Sequence, residues 1–442
     1  MFLFEKYKNV KSKILKSEFW KKLFKNSFYA VLGEGGASVV NLLSVIVLIK
    51  VLGSTKYGIL TLAQSYMLIV DTIINMQSWN AVIKYGEISK KNNDIEEYSG
   101  YIKLGTILDV STAIIGCIVG ILIPVFLGNY ISWDKEMIMC SIIFSIEILF
   151  HFSGTPTAIL RMENKFHLIS IQKIVSAIFK VISLFIVYLI QQKISLLVGV
   201  IIFVSTDILG HVLLTLMALF VINKKIGLRK IIKSTIPNSS KQFISFTFWN
   251  TLTDISDIPV QNLDVFLVSN LGIDKVAIYK VFKQILAMFS KLTKPIYQAI
   301  YPQFSALVAN NKKKEGYDVV LKIKRVILKY FLPLSIFFGI SSYFWLDRFF
   351  EIGYSQYWYI LTLYVFVHTI ALSYTTIHPY FISLGNAYLA CIYSLISNIL
   401  YLLLTFILIK YIGFIGMVIG YFVQFYTLIY LKKRRIKKEL KN

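Results

Sequence analysis

Four lysines, Lys280, Lys283, Lys291 and Lys294, stand inside one long apolar block of the sequence. Wound as a helix at about 100° per residue, they fall within a stripe about 80° wide over nearly four turns. A charge at the centre of a bilayer is costly, so such a stripe must face water, an acidic partner or an anionic ligand. The preceding apolar block carries Asp254, Asp257, Gln261 and Asp264, an acidic stripe of its own. Two readings follow. The aspartates neutralise the lysines and both are structural, or four lysines against three aspartates leave basic charge for an anion. Lys180, about midway along an earlier block, is the corresponding cation from the first half of the chain. Lys173, seven residues before it, and Arg161, at the mouth of that block, belong to the same basic set or snorkel at the interface.

Other ionisable residues lie in apolar blocks. Glu34 sits in Gly33-Glu34-Gly35-Gly36, where the lack of side chains lets helices or a ligand approach closely. With Asp71, Asp254 and Asp257 it forms the set of carboxylates expected to bind a coupling ion. Glu147 with His151, and Asp207 with His211, are spaced i, i+4. Such pairs relay protons or glue helices together. There is no Walker A loop, no H-E-x-x-H, no C-x-x-C and no G-x-S-x-G. ATP hydrolysis is not expected, nor is any catalytic residue, metal or cofactor. Cys117, Cys140 and Cys391 lie inside apolar blocks and read as small core residues.

The elements that must position these charges are legible from composition. Of 442 residues 56% are hydrophobic and 16% charged, with a mean hydropathy of +0.66. A soluble domain carries about 25% charged residues. The apolar residues come in blocks near membrane-spanning length, which predicts an all-α polytopic membrane protein. Spans are expected near 27–50, 58–83, 104–127, 137–158, 168–190, 195–222, 243–270, 276–303, 326–346, 357–383, 387–409 and 412–431. Basic residues test this set of twelve. With the N-terminus in the cytoplasm, the inside segments hold 33 of the 47 Lys and Arg, and the outside segments hold seven. That asymmetry favours both termini inside. It also assigns the net charge of +24 to membrane orientation rather than to nucleic acid. Residues 1–25 read as a basic amphipathic arm on the cytoplasmic surface, not a cleaved signal peptide. Residues 223–242 read as a basic linker, and the tail 432–442 as an anchor to anionic lipid.

The chain contains the same unit twice. Leu52-Gly53 and Lys56 recur as Leu271-Gly272 and Lys275, Gln64 as Gln284, Pro156 as Pro379 and Asn164 as Asn386. These place a six-span bundle in 26–222 and another in 243–431, around a central cavity. The first-half equivalents of the four lysines are Thr61, Gln64, Thr72 and Asn75, all polar. Gln64 and Asn75 are therefore expected in the cavity, lined by spans one, two, seven and eight.

Here the residues resemble a known family. Val51-Leu-Gly-Ser-Thr-Lys-Tyr-Gly-Ile59 is similar to the "LG…(Y/F)G" loop after the first span of polysaccharide flippases. These belong to the multidrug/oligosaccharidyl-lipid/polysaccharide exporter superfamily. Leu263-Asp-Val-Phe-Leu-Val-Ser-Asn-Leu-Gly272 followed by Tyr279 resembles its "D-x-x-L-(I/V)-x-x-L-G…Y" signature. Gly385-Asn386, Asn398 and Gly413-Phe-Ile-Gly416 resemble its last two spans. Twelve spans suit the O-antigen or capsule type. The resemblance implies movement of an undecaprenyl-diphosphate-linked saccharide across the membrane. Its diphosphate would meet Lys180, Lys283 and Lys291, and polysaccharide polymerase and chain-length proteins would be partners. Asp264 falls in the signature and is read as holding the loop 271–275. The competing readings are a cation-coupled multidrug exporter, which suits an acidic cavity, and a membrane scaffold for glycan assembly that transports nothing.

Overall fold

The computed structural model describes residues 18–76, 78–191 and 193–440, without the side chains of 18–28, 30–32, 292, 294–299, 302, 306 and 309. Most of the expected N-terminal arm, 1–25, lies outside the described residues. Helices account for the rest: α1 Glu18–Leu52, α2 Ser54–Ile74, α3 Trp79–Lys91, α4 Ile95–Leu127, α5 Lys135–Ile148, α6 Gly154–Met162, α7 Phe166–Gln191, α8 Leu196–Lys225 and the short α9 Leu228–Lys233. The second half follows with α10 Ser240–Ile258, a π-helical turn Pro259–Leu263, α11 Asp264–Ser269, α12 Ile273–Ala309, α13 Lys313–Phe349, α14 Trp358–Ser373, α15 Ile377–Ser383, α16 Ala387–Ile412 and α17 Ile415–Glu439. No strand occurs among the described residues. The chain is an all-α polytopic membrane protein. Nine described helical stretches are long and apolar enough to cross a membrane.

Every expected span is helical, but four are not continuous. Span two breaks after Ile74 and resumes at Trp79, span four breaks at 149–153 and span ten at 374–376, while span seven passes through the π turn. The segments expected as spans four, seven and eight fall outside the nine, being α5 with α6, α10 with α11, and the lysine-bearing α12. Two of the breaks are related by the repeat. Pro156 is the third residue of α6 and Pro379 the third of α15. Proline lacks an N–H that the first helical turn does not need, so it fits where a helix restarts. Gly53 and Gly272 likewise share positive φ, 77° and 123°, in equivalent loops. That backbone is open to glycine at little cost, which is why Leu-Gly recurs there. Side chains start several helices: Asp94 accepts from the Glu97 N–H at 2.8 Å and Asp134 from the Met137 N–H at 2.7 Å.

The helices pack as two bundles, α1–α8 and α10–α17. They meet where α12 lies against α1 and α2, and α10 against α2 and α3. At the outer end, so named from the basic-residue pattern, this contact is tight. A Cβ on Gly58 would stand 2.2 Å from the Ile273 carbonyl oxygen. Trp133 stacks on Phe266 across the two bundles, with ring centroids 6.5 Å apart. The Ser54 N–H and hydroxyl both donate to Glu351, and its hydroxyl lies 3.0 Å from Tyr354 Oη. These contacts join the bundles at their outer ends.

The C-terminal tail departs from expectation. Helix α17 continues through it, and Lys432 is 2% exposed, donating to His378 Nδ1 at 2.8 Å. Lys433 donates to Tyr374 Oη and Arg435 to Asn386 and Glu439. Part of the basic cluster is thus packed against the second bundle rather than left to lipid. The helical period turns one face of the tail inward, which a simple count of charges does not register.

Candidate functional site

A cavity of ≈ 520 Å³ lies toward the inner side of the first bundle. Helix α1 contributes Glu34, Ser38 and Asn41, whose spacing of four and three places them on one helix face. The break in span four brings His151 and Arg161 to the wall. Helix α7 adds Lys173, α8 adds Asp207 and His211, and Trp79 begins α3. From the second bundle comes Lys291.

The expected lining was spans one, two, seven and eight. The observed lining is spans one, four, five and six with Lys291 of span eight and Trp79 in the inner part of span two. The reason is the outer contact: α2 is used up in packing against α12, so its middle cannot also face a cavity.

The charges sort accordingly. Arg161 lies over the Trp79 ring, 4.3 Å from its centroid, and its buried Nε has no hydrogen-bond partner among the described residues. Lys173 Nζ is 3.5 Å from Glu34. Lys291 donates to the Glu34 carbonyl oxygen at 3.1 Å and to the Ser38 hydroxyl. Three cationic side chains thus line the cavity against two carboxylates, Glu34 and Asp207. Asp207 is already neutralised by Lys180, at 2.7 Å. The cavity carries excess positive charge.

Several sequence expectations are corrected. Lys180 is 4% exposed, held by Asp207 and set 3.5 Å over the Phe203 ring, so it is committed inside the first bundle and does not line the cavity. A buried ammonium demands a counter-charge, and Asp207 on the next helix supplies it. Lys283 bonds Asp264 at 2.8 and 2.9 Å and the carbonyls of Val260 and Gln261, not Asp254 or Asp257. The π turn leaves those carbonyls available. Lys280 is half-buried on α12, away from the cavity lining. Lys294 lies on α12 with its side chain outside the described residues.

Asp71 pairs with His151 at 2.6 Å; His151 lies in the break after the helix that holds Glu147, and the two do not form the expected i, i+4 pair. Asn75 donates to Asp71 and to the His151 carbonyl and accepts from Thr112, which turns both residues into the first bundle rather than toward a central stripe. Gln64 is half-buried on α2, outside the cavity lining. Asp254 stands exposed on α10. Asp257 accepts from Asn398 at 3.2 Å, and Gln424 donates to Asn398 in turn. Asp257 lines a separate cavity of ≈ 360 Å³ in the second bundle, with His378 and Lys432. Glu147 is 7% exposed and its Oε2 has no hydrogen-bond partner among the described residues.

Sequence reasoning missed Trp79, Ser38 and Asn41. The polar face shared by residues 34, 38 and 41 was the available signal. Nothing in the sequence singles out Trp79 among six tryptophans.

Comparison with known proteins places these observations. The sequence pattern of the family described as polysaccharide biosynthesis protein matches residues 23–308. The inner membrane protein YghQ of Escherichia coli (strain K12) is 24% identical over 154 residues, which are 35% of this chain and 43% of that protein. The chain thus matches less than half the length of that curated relative. An inward-facing multidrug resistance MATE family transporter of the MOP superfamily superposes with a TM-score of 0.71 and 13% identity, over 92% of this chain and 96% of that one. The lipid II flippase MurJ in an inward closed conformation gives 0.69 and 16%, over 91% and 86%. At such identity these two likenesses establish the two-lobed fold, not the cargo. Both are transporters or flippases rather than enzymes. The apolar helices make the chain a multi-pass membrane protein, and YghQ is named as a protein of the inner membrane. It has the fold of the MOP superfamily of transporters and belongs to the polysaccharide biosynthesis protein family.

Proposed function

We propose that the chain is a flippase. It moves an undecaprenyl-diphosphate-linked oligosaccharide repeat unit from the cytoplasmic to the outer leaflet by alternating access, through twelve spans with both termini in the cytoplasm. The observation that carries the reading is the excess positive charge of the cavity, with Arg161 over Trp79 and its Nε lacking a partner among the described residues. Cationic donors in a low-dielectric cavity bind a diphosphate strongly. Arg161, Lys173 and Lys291 are assigned to the diphosphate, and Lys294, three residues beyond Lys291, to the same charge. Trp79 offers an aromatic face to a sugar. Glu34, between Lys173 and Lys291, is assigned to ion coupling. Contacts between the outer ends of the bundles suit an inward-facing state ready to load. On the outer face the product would pass to a polymerase and chain-length proteins.

Family membership supports a role in polysaccharide biosynthesis. The same fold also serves a multidrug transporter. A cationic drug would be repelled by this cavity, whereas a lipid-linked anion is attracted.

The test is made in cells. Depleting the protein should cause lipid-linked oligosaccharide to accumulate facing the cytoplasm, with surface glycan lost. The natural chain should reverse this, and Arg161→Gln at normal abundance should not. Normal glycan export in depleted cells would contradict the reading.

A further inference from the structure

Two cavities meet at Ser38 and Lys291. Lys291, in the wall of the basic cavity, also ends an apolar groove of ≈ 720 Å³ between α1, α12 and α13. Lys291 is the groove's one charged wall residue among those described. Val39 and Leu43 along α1 are 50% and 48% exposed, and Phe349 at the far end is 48% exposed, so the groove opens sideways where lipid chains lie. A site that is basic on one side of a lysine and, Ser38 apart, apolar on the other fits a ligand with the same division.

We propose that this groove holds the first isoprene units of a polyisoprenyl diphosphate, with Lys291 at the joint between tail and diphosphate. The assignment rests on the flippase reading and names where that substrate's lipid lies. Depth supports it. Lys291 is 18 residues from Ile273 at the outer end of α12. At 1.5 Å per residue that is about 27 Å, close to the inner edge of a hydrocarbon core about 30 Å thick. Phosphates of an inner-leaflet lipid lie at that level. Direction supports it as well. From Lys291 the groove runs toward Trp345 and Phe349 near the outer end of α13, the way an inner-leaflet tail points. Its α1 wall, Gly35 to Ile46, covers about 16 Å, roughly half the core. Only part of an undecaprenyl chain fits, and the remainder stays in the bilayer.

Gly35 provides the test, because a Cβ there meets nothing within 4 Å. Gly35→Leu puts an apolar side chain into the groove from a position where its Cβ meets no neighbour. The full chain in nanodiscs should bind undecaprenyl diphosphate, and Gly35→Leu should weaken this about tenfold, as expected when burial of two methylene groups is lost. Binding of inorganic diphosphate should be unchanged in Gly35→Leu and weakened in Lys291→Gln. As a measurement that needs no variant, a photoreactive polyisoprenyl diphosphate should label residues 35–46 and 338–350 of the natural chain. Full binding of undecaprenyl diphosphate by folded Gly35→Leu, or labelling elsewhere, would overturn the groove assignment alone. So would equal labelling of the groove by photoreactive phosphatidylglycerol. Failure of the natural chain to bind undecaprenyl diphosphate would instead end the flippase reading beneath it.

Discussion

Half-buried Lys283 and buried Asp264 form one ion pair, with Nζ 2.8 and 2.9 Å from the two carboxylate oxygens. Asp264 is 1% exposed and also accepts from Tyr279 at 2.5 Å and Tyr401 at 3.2 Å. Removing one partner of such a pair leaves an uncompensated buried charge, at a cost of about 3–5 kcal/mol. Lys283→Ala should therefore lower protein abundance, measured by immunoblot of membranes. Combining it with Asp264→Ala should recover part of it. Normal abundance with transport lost in Lys283→Ala would return Lys283 to the substrate.

The pair Lys180 and Asp207 invites a parallel experiment. Buried ion pairs replaced by apolar residues of similar volume are often tolerated. Lys180→Met with Asp207→Leu should express at near-normal levels and keep glycan export within about threefold, because about 0.6 kcal/mol corresponds to such a factor. Export abolished in a well-expressed double variant would show that Lys180 acts on the cargo.

Contacts at the outer end should set which side of the transporter is open. Glu351→Ala with Ser54→Ala removes hydrogen bonds joining the two bundles. At about 1 kcal/mol net, the population open to the outside should rise roughly fivefold. A cysteine replacing Thr61, which is buried on α2, reports this through labelling by an impermeant thiol reagent added outside. Unchanged labelling would show that these bonds do not hold the outer side.

Glu163 lies at the inner end of α6, near Lys90 at 3.0 Å and Lys225. Burial pushes its carboxyl upward, but the bonds from Lys225 and Lys90 outweigh burial and hold it below its ordinary 4.5. A carboxyl depressed in the folded state stabilises at pH above its unfolded value and loses that contribution as pH falls through the folded one. Glu163→Gln should therefore melt below the natural protein at pH 7 and at pH 6, with a steady gap. The gap should close below about pH 4.5. A gap independent of pH down to 3 would remove the ion pairs as its cause.

Much of the fold was legible because burial in lipid imposes length and apolarity on every span. The repeat was legible because equivalent turns demand the same residues, as at Gly53 and Gly272 with positive φ and at Pro156 and Pro379 after a break. Charge partners were not. Residues at i, i+4 share a helix face, and the neighbour that face meets depends on packing between helices. Thus His151 finds Asp71 rather than Glu147, and Asp207 finds Lys180 rather than His211. Angular reasoning along span seven also failed beyond Ile258, since the π turn shifts the register of Gln261 and Asp264.

Transport by the protein alone tests the central claim most directly. The purified chain would be placed in vesicles with a fluorescent undecaprenyl-diphosphate oligosaccharide, and a membrane-impermeant quencher would read the exposed fraction over time. The account predicts that the protein brings the inner-leaflet pool to the quencher, that Arg161→Gln and Lys291→Gln each slow this about tenfold, the loss expected for one charge-assisted contact, and that Lys180→Met with Asp207→Leu stays near the natural rate. Quenching no faster than in protein-free vesicles would contradict it.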